Sequence, residues 1–447
     1  MALSTNSVWE VRAAGNDTNG GGFVSGAAGT DYSQQNSKNT VGSDISTTDG
    51  VGNGTTTFTS ATANFGTTIV GNIIYLQGGT GALAAGWYQV TARASTTSIT
   101  LDRAVAAGTG ITVNIGGALA SPGMLGGVIM STGNRVWIQA GTYTVTSATP
   151  NISGGCLAPG SLILWIEGYQ TVRGDLGTKP IIKADGVITT FVLLTISTNL
   201  TRVRNLEFDG NNRTSSRGIT GGAGTYYRIV GRNFTNSAFV GATNTSMFIE
   251  CLATGCSTVA AFVNCMAYSC IATANTFTGF SSGNLFSLSF CISSNNTGAT
   301  TDGFTTSATT PGSFNNCVAY GNGRDGFRMA NSLSSAINCV AENNGGFGFN
   351  STGTTNQLVN CAGYNNTSGN TTFGAGVFST SFNFITGTVS FFTNAAAGDF
   401  SPAAGSTLRT AGIPGPFPDG LTTGYLDIGI QHIDPAGGGS SESGMAF

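Results

Sequence analysis

A phrase recurs four times in the second half of the chain, and its spacing limits what the chain can become. Each copy sets a cysteine in an apolar strand, follows it with a polar turn, and opens the next strand with Gly-Phe. The copies begin at Cys270, Cys291, Cys317 and Cys339, and their phenylalanines are Phe280, Phe304, Phe327 and Phe349. Cysteine and phenylalanine are 10 residues apart in three copies and 13 in the second, which carries a small insertion. Successive cysteines are 21, 26, 22 and 22 residues apart, the last step reaching Cys361. A unit this short holds a few brief strands and cannot close a core alone. It has to stack on its neighbours, which makes a solenoid. Asn precedes Cys317, Cys339 and Cys361. Asn suits a tight bend because it tolerates left-handed backbone and can bond to the coils above and below.

Composition supports ordered coils. Only 8 % of the 447 residues are charged, against about a quarter in an ordinary globular protein. Gly, Ser, Thr and Asn take their place. Disordered chains are poor in aromatic and β-branched residues, whereas this one has 27 Phe and short alternating runs of Val and Ile. The net charge of −3, without a basic cluster, argues against a nucleic-acid partner. No apolar stretch approaches the ~18 residues of a spanning helix, so no membrane insertion is expected. Residues 1–6 carry neither the basic nor the apolar region of a secretory leader. That points to a protein kept in its cell, released by lysis, or given without its leader. The nine cysteines are read as a column of small, buried, reduced side chains rather than a disulfide framework. Cys251/Cys256 and Cys265/Cys270 lie far from the single histidine, His432, so no zinc site is expected.

Residues 55–115 interrupt the pattern with alternating strands of their own, bounded by Gly or Ser/Thr turns and without helical period. They are read as a small antiparallel β-barrel or sandwich inserted in the first coil, with irregular coils of the solenoid as the alternative. In the run VRNLEFDGNN at 203–212, Val203, Leu206 and Phe208 should point inward, Asn205 should take a bend, and Glu207 and Asp209 should point out.

Both ends carry further motifs. VWEVRAAGNDTNGGG at 8–22 precedes RVWIQAGTY at 135–143 and LILWIEGYQ at 162–170. The order resembles the opening of the pectate-lyase-like right-handed parallel β-helix superfamily. Gly15, Asp17 and Asn19, then Val136, Ile138, Gly141, Thr142 and Tyr143, then Ile166 and Gly168 take the matching places. DFSPAAGSTLRTAG at 399–412 and YLDIGIQH at 425–432 resemble the closing segment of secreted members, with Ser401, Pro402, Ala403, Gly412, Asp427, Ile428 and Gly429 in place. Ala-Gly-Ser-Thr-Leu stands where a single Ile is usual. The expected fold is all-β, a right-handed parallel β-helix with a small antiparallel β insert. The expected parts are an N-terminal cap and first coil (1–54), the insert (55–115), the helix (116–392), a C-terminal cap (393–434) and a flexible tail (435–447).

The resemblance implies chemistry on outward faces of neighbouring coils. Glycoside hydrolysis needs two carboxylates about 5–9.5 Å apart, which stacked strands or alternate residues of one strand can supply. Two places qualify. Glu207 and Asp209 share a strand, with Arg202, Arg204 and Arg213 near in sequence; a solvated ion-paired face is the ordinary reading and an acid/base pair the functional one. Asp302 and Asp325 each stand in an Asp-Gly-Phe turn, one repeat apart, with Arg324 and Arg328 beside them and Glu342 one coil on. Aligned turns would put these acids in one column. Favoured turn chemistry is the ordinary reading; a carboxylate pair or a calcium site is the functional one. Tyr268, Tyr320 and Tyr364 each follow a cysteine by three residues and should stack, as a sugar-binding ladder or an internal one. The polygalacturonase patterns Asn-Thr-Asp and Gly-His-Gly are absent.

The reading that follows is a bacterial-virus surface protein: a tail spike, fibre or capsid decoration. It would be a homotrimer beside other virion proteins, binding cell-surface polysaccharide and needing no cofactor, calcium aside. The alternatives are a polysaccharide hydrolase or lyase, virion-borne or extracellular, and an extracellular adhesin.

Overall fold

The computed structural model describes residues 6–38, 46–83, 85–126, 133–146, 152–153, 163–189, 191–196, 201–241, 246–281, 286–307, 309–374 and 380–409, with 411 and 429. The structure is a parallel β-helix built of short strands on three faces, with a closed barrel near the N-terminus. It divides into two units, 1–259 and 260–447.

In the first unit, one face stacks Ser7–Val11, Arg135–Gln139, Leu164–Tyr169, Thr201–Arg204, Gly224–Tyr227 and Met247–Ile249, all parallel. A second stacks Thr142–Val145, Ile181–Ala184, Glu207–Asp209, Val230–Arg232 and Leu252–Thr254. A third runs Ile152–Ser153, Phe191–Ile196, Ser216–Gly221 and Phe239–Gly241. Alternation decides which side chains enter the core. Val136, Ile166, Val203, Tyr226 and Phe248 are buried along the first face, and Phe208 along the second. Asn205 bends the chain between these faces at φ 55° and donates from Nδ2 to the Gly168 carbonyl at 2.9 Å, as its place in the sequence predicts.

The barrel closes in the order Ser46–Gly52, Thr57–Thr59, Ser98–Leu101, Gly86–Ser95, Ile73–Gln77 and Gly108–Ile115. Its first strand lies ahead of the 55–115 stretch marked by the sequence. Phe58, Phe65, Ile74, Leu76, Val90, Ile99, Ile111 and Val113 fill it, so it has a core of its own. The Gly-Asn-Asp turn secures the chain where it leaves the barrel. Asp17 accepts from the amides of Ala120 and Ser121 at 2.9 and 2.8 Å, and Asn19 Nδ2 donates to the Ala118 carbonyl at 2.8 Å. Gly20 has to be glycine, because a Cβ there would fall 2.0 Å from the Ile73 carbonyl oxygen.

The second unit is more regular. Its faces are Met266–Tyr268, Phe286–Ser289, Gly312–Asn315, Ser335–Ile337, Gln357–Val359 and Thr380–Phe382; then Ile271–Thr273, Ile292–Ser294, Val318–Tyr320, Val340–Glu342, Ala362–Tyr364 and Ile385–Thr386; then Phe262–Val263, Phe280–Ser281, Phe304–Thr305, Phe327–Met329, Phe347–Ser351 and Gly369–Phe373. Register is strict: Val318 pairs with Val340 and Val340 with Ala362, while Phe304 pairs with Phe327 and Phe327 with Phe349. The Phe262, Phe280, Phe304, Phe327 and Phe349 rings stack with centroids 4.6, 5.0, 4.7 and 4.8 Å apart. The glycine before each repeat phenylalanine is explained at Gly303, where a Cβ would meet the Gly326 carbonyl oxygen at 2.6 Å.

Cys270, Cys291, Cys317, Cys339 and Cys361 are buried. The thiols of Cys291, Cys317, Cys339 and Cys361 donate to the carbonyls of Ala267, Leu288, Phe314 and Ala336 on the preceding coil. Burial pushes the Cys291 and Cys339 thiols well above their usual range. Asn316, Asn338 and Asn360 take left-handed bends at φ 52°, 54° and 50°. A further ladder lies five residues after each cysteine. Nδ2 of Asn275, Asn296, Asn322 and Asn344 donates in turn to Oδ1 of Asn296, Asn322, Asn344 and Asn366 at 2.8–2.9 Å. All five are buried.

The expected C-terminal cap takes a different course over its described part. Phe392–Asn394 and Asp399–Pro402 form an antiparallel pair, and Phe391, Phe392, Phe400 and Leu408 pack on Ile292, Val318, Val340 and Ala362. The segment therefore lies along the outer side of the second face rather than across a coil end. Residues 425–428, 430–432 and the expected flexible tail, 435–447, lie outside the described residues.

Candidate functional site

Asp302 and Asp325 stand where their Asp-Gly-Phe turns place them, two residues before stacked Phe304 and Phe327. Both are buried, at 1 % and 3 % exposure, and both are engaged. Arg324 clamps Asp302 through Nε at 2.7 Å and a terminal nitrogen at 2.5 Å, and the Asp325 amide adds a contact at 3.3 Å. Asp325 accepts from the Phe347 amide and from Asn350 Nδ2, both at 2.8 Å. Burial pushes the Asp302 carboxyl above its ordinary range, with Arg324 pulling it back. Arg328 reaches Asp302 at 4.0 Å and is partly exposed. Two carboxylates held by a guanidinium and by amides of the next coil fasten turn to turn.

Glu342 does not join that column. It sits on the second face, in register between Tyr320 and Tyr364. It is buried, accepting from the Ser390 hydroxyl at 2.6 Å and the Phe391 amide at 3.0 Å. Its role is to hold the C-terminal segment, and burial raises its carboxyl.

Glu207 and Asp209 share one strand, as expected, but their cation differs. Arg232, one coil on, lies 2.6 Å from Glu207 and 3.4 Å from Asp209. Asp209 is buried and also accepts from the Asn211 amide at 2.8 Å and Asn233 Nδ2 at 3.1 Å. Of the arginines near in sequence, Arg202 lies over Trp165, Arg204 pairs with Glu167, and Arg213 donates to the Ile188 carbonyl. Register, not sequence distance, chose the partner.

The tyrosines form no ladder. Tyr268 lies on the first face and packs on Phe290 at 5.3 Å, because its preceding Cys265 is outside the cysteine column. Tyr320 and Tyr364 are on the second face with Glu342 between them, and they pack on Phe400 and Phe391. The C-terminal segment thus covers the two that share a column. Among the described residues no group of three or more His, Cys, Asp or Glu is placed to hold a metal, and no helix is long and apolar enough to cross a membrane.

The first unit carries an outward arrangement that residue spacing did not reveal. Arg135, Trp165 and Arg202 occupy one register column on the first face. The Arg135 and Arg202 guanidiniums lie over the Trp165 ring, at 5.2 and 4.8 Å from its centroid. The steps between them are 30 and 37 residues, with no repeated motif to mark them. The adjacent column holds Trp137, Glu167, Arg204 and Tyr227.

No family model matches the sequence, and no curated protein does either. Among solved structures, pectate lyase Pel9A is similar at 15 % identity and a TM-score of 0.53, over 71 % of this chain and 92 % of that one. The A-module of the mannuronan C-5 epimerase AlgE4 of Azotobacter vinelandii aligns at 16 % identity and 0.42, over 56 % of this chain and 86 % of that one. ORF18 of Geobacillus virus E2 aligns at 14 % and 0.33, over 57 % and 53 %. At these identities the likeness is one of fold. The chain has the pectate-lyase-like parallel β-helix fold.

Proposed function

We propose that this chain is a surface protein of a bacterial virus (a tail spike, fibre or capsid decoration) that binds polysaccharide without cutting it. The observation that carries the non-cutting part is the state of the acids. Asp302, Asp325, Glu207 and Asp209 are engaged by arginines and by amides of turns and neighbouring coils. An acid/base pair needs carboxyls facing a bond to be broken. The virion placement rests on the low charge, the polar stacked coils and the separately cored barrel, which would serve as the attachment module. The working form would be a homotrimer, with other virion proteins as neighbours. Arg324 already matches the charge Asp302 would offer calcium, so the proposed role uses no cofactor. Peptide mass spectrometry of purified particles and sedimentation of the isolated chain test it: a particle-borne trimer is expected, and a monomer absent from particles contradicts it.

A second reading is favoured by one observation: the Asp302 carboxyl is raised by burial, as a general acid's is, with Arg328 partly exposed beside it. It predicts oligosaccharide release from host capsule or lipopolysaccharide, lost in Asp302→Asn or Asp325→Asn. Absence of release by the wild-type chain removes it.

A further inference from the structure

Cations are scarce in this chain, and two of them are spent on one partly exposed indole. Arg202 is exposed, and Arg135 and Trp165 are partly exposed. Among the described residues no carboxylate lies within ion-pair distance of Arg135 or Arg202. The four strands from Arg135–Gln139 to Gly224–Tyr227 hold three arginines and one acid, Glu167, which is buried and paired with Arg204. The face is therefore locally positive in a chain of net charge −3.

Stacking has a consequence for the guanidinium. A planar guanidinium lying over a ring satisfies its face, while its N–H edge stays free for a planar anion. Trp165 holds both arginines this way, one from the coil on each side. The two forks are two coils apart, about 9.6 Å at the usual strand spacing, roughly the length of two sugar units.

We propose that Arg135, Trp165 and Arg202 form a binding site for an acidic polysaccharide bearing a carboxylate on alternate sugars, each guanidinium taking one carboxylate. This rests on the polysaccharide-binding reading above and names its ligand class. Trp165 is the positioning residue. Glu167 with Arg204, and Tyr227, border the site on the adjacent column. A face of free cations suits a polyanion better than a second copy of itself, which would bring like charges together.

The test is calorimetric titration of the full chain with hyaluronate oligosaccharides, which carry a carboxylate on alternate sugars. Carboxyl-reduced hyaluronate and neutral dextran are the comparisons, and sedimentation is run on every variant. Salt-sensitive binding of hyaluronate is expected, with little for the reduced chain. Arg135→Gln and Arg202→Gln should each weaken it about tenfold or more, and Arg202→Lys should also weaken it by losing the fork. Trp165→Phe, which keeps a ring, should lose less than Trp165→Ala. Unchanged hyaluronate binding in the Arg135→Gln/Arg202→Gln double variant overturns the site. So does a change of oligomeric state without a change of binding, which would make this face an interface between copies. Binding of dextran but not hyaluronate overturns this inference and leaves the proposed function standing. Binding of no glycan overturns both.

Discussion

The coils of residues 133–259 and those of 260–374 use side chains differently. The later coils repeat cysteine, asparagine and phenylalanine in register; each asparagine and phenylalanine of the ladders meets the same residue one coil away, and each column thiol meets a carbonyl of the preceding coil. The earlier coils repeat little: their columns mix Arg with Trp, and Trp with Glu, Arg and Tyr. Ten of the 17 basic residues fall within 133–259 and three after 260. A column of identical side chains is self-contained and leaves little for a ligand. A column of unlike side chains gives up that regularity, and here it leaves two guanidiniums outward. Regularity marks the scaffold, and departure from it marks the surface that addresses something else.

The largest effect that would sharpen this contrast lies in the ring stack. Phe327→Ala should cost about 3–5 kcal/mol, read by denaturant unfolding, because it opens a void between two rings. The surface change Arg202→Gln should stay within about 0.5 kcal/mol. Comparable losses at the two positions would break the distinction. Next comes the asparagine ladder. Asn322→Ala removes the bond from Asn296 Nδ2 and the Nδ2 bonds to Asn344 Oδ1 and the Ser293 carbonyl, and should cost about 1–3 kcal/mol, whereas Asn365→Ala, exposed in the equivalent turn two coils on, should cost less.

A smaller effect concerns pH. Burial raises the carboxyls of Asp302 and Glu342 above their ordinary 3.8 and 4.5. Between the ordinary and raised values the native chain holds more protons than the unfolded one. Stability contributed by these groups is therefore full below the ordinary value and falls as pH rises through the raised one. Unfolding midpoints measured from about pH 4 upward should decline less steeply in Asp302→Asn and Glu342→Gln than in wild type. Parallel slopes would contradict the assignment.

How much of this was legible varies with the kind of signal. Coil architecture could be read because the cysteine and Gly-Phe spacings repeat, and register follows from repetition. The asparagine ladder had a signal too, a constant offset of five from each cysteine, but the same asparagines also read as turn formers. Tyr268 misled because Cys265 imitates a column cysteine while lying on another face. Glu342 misled because a coil holds three faces, and it stands 17 residues past Asp325, short of the 22-residue step that keeps to one face. The Arg232 partner and the Arg135–Trp165–Arg202 column were invisible because they depend on registry across coils of unequal length. The course of the C-terminal segment was hidden for a related reason: Val318 and Val340 look like core residues in sequence, yet they are outward residues covered by Phe392 and Phe400.

The most direct measurement compares two arginines, one from each region, for acidic-glycan binding. Arg202 lies over an indole with no acid near it among the described residues, whereas Arg328 lies 4.0 Å from Asp302. Hyaluronate titrated into the Arg202→Gln and Arg328→Gln chains should show a loss of about tenfold for the first and wild-type affinity for the second. Loss at Arg328 with none at Arg202 would place recognition on the regular coils and contradict the account.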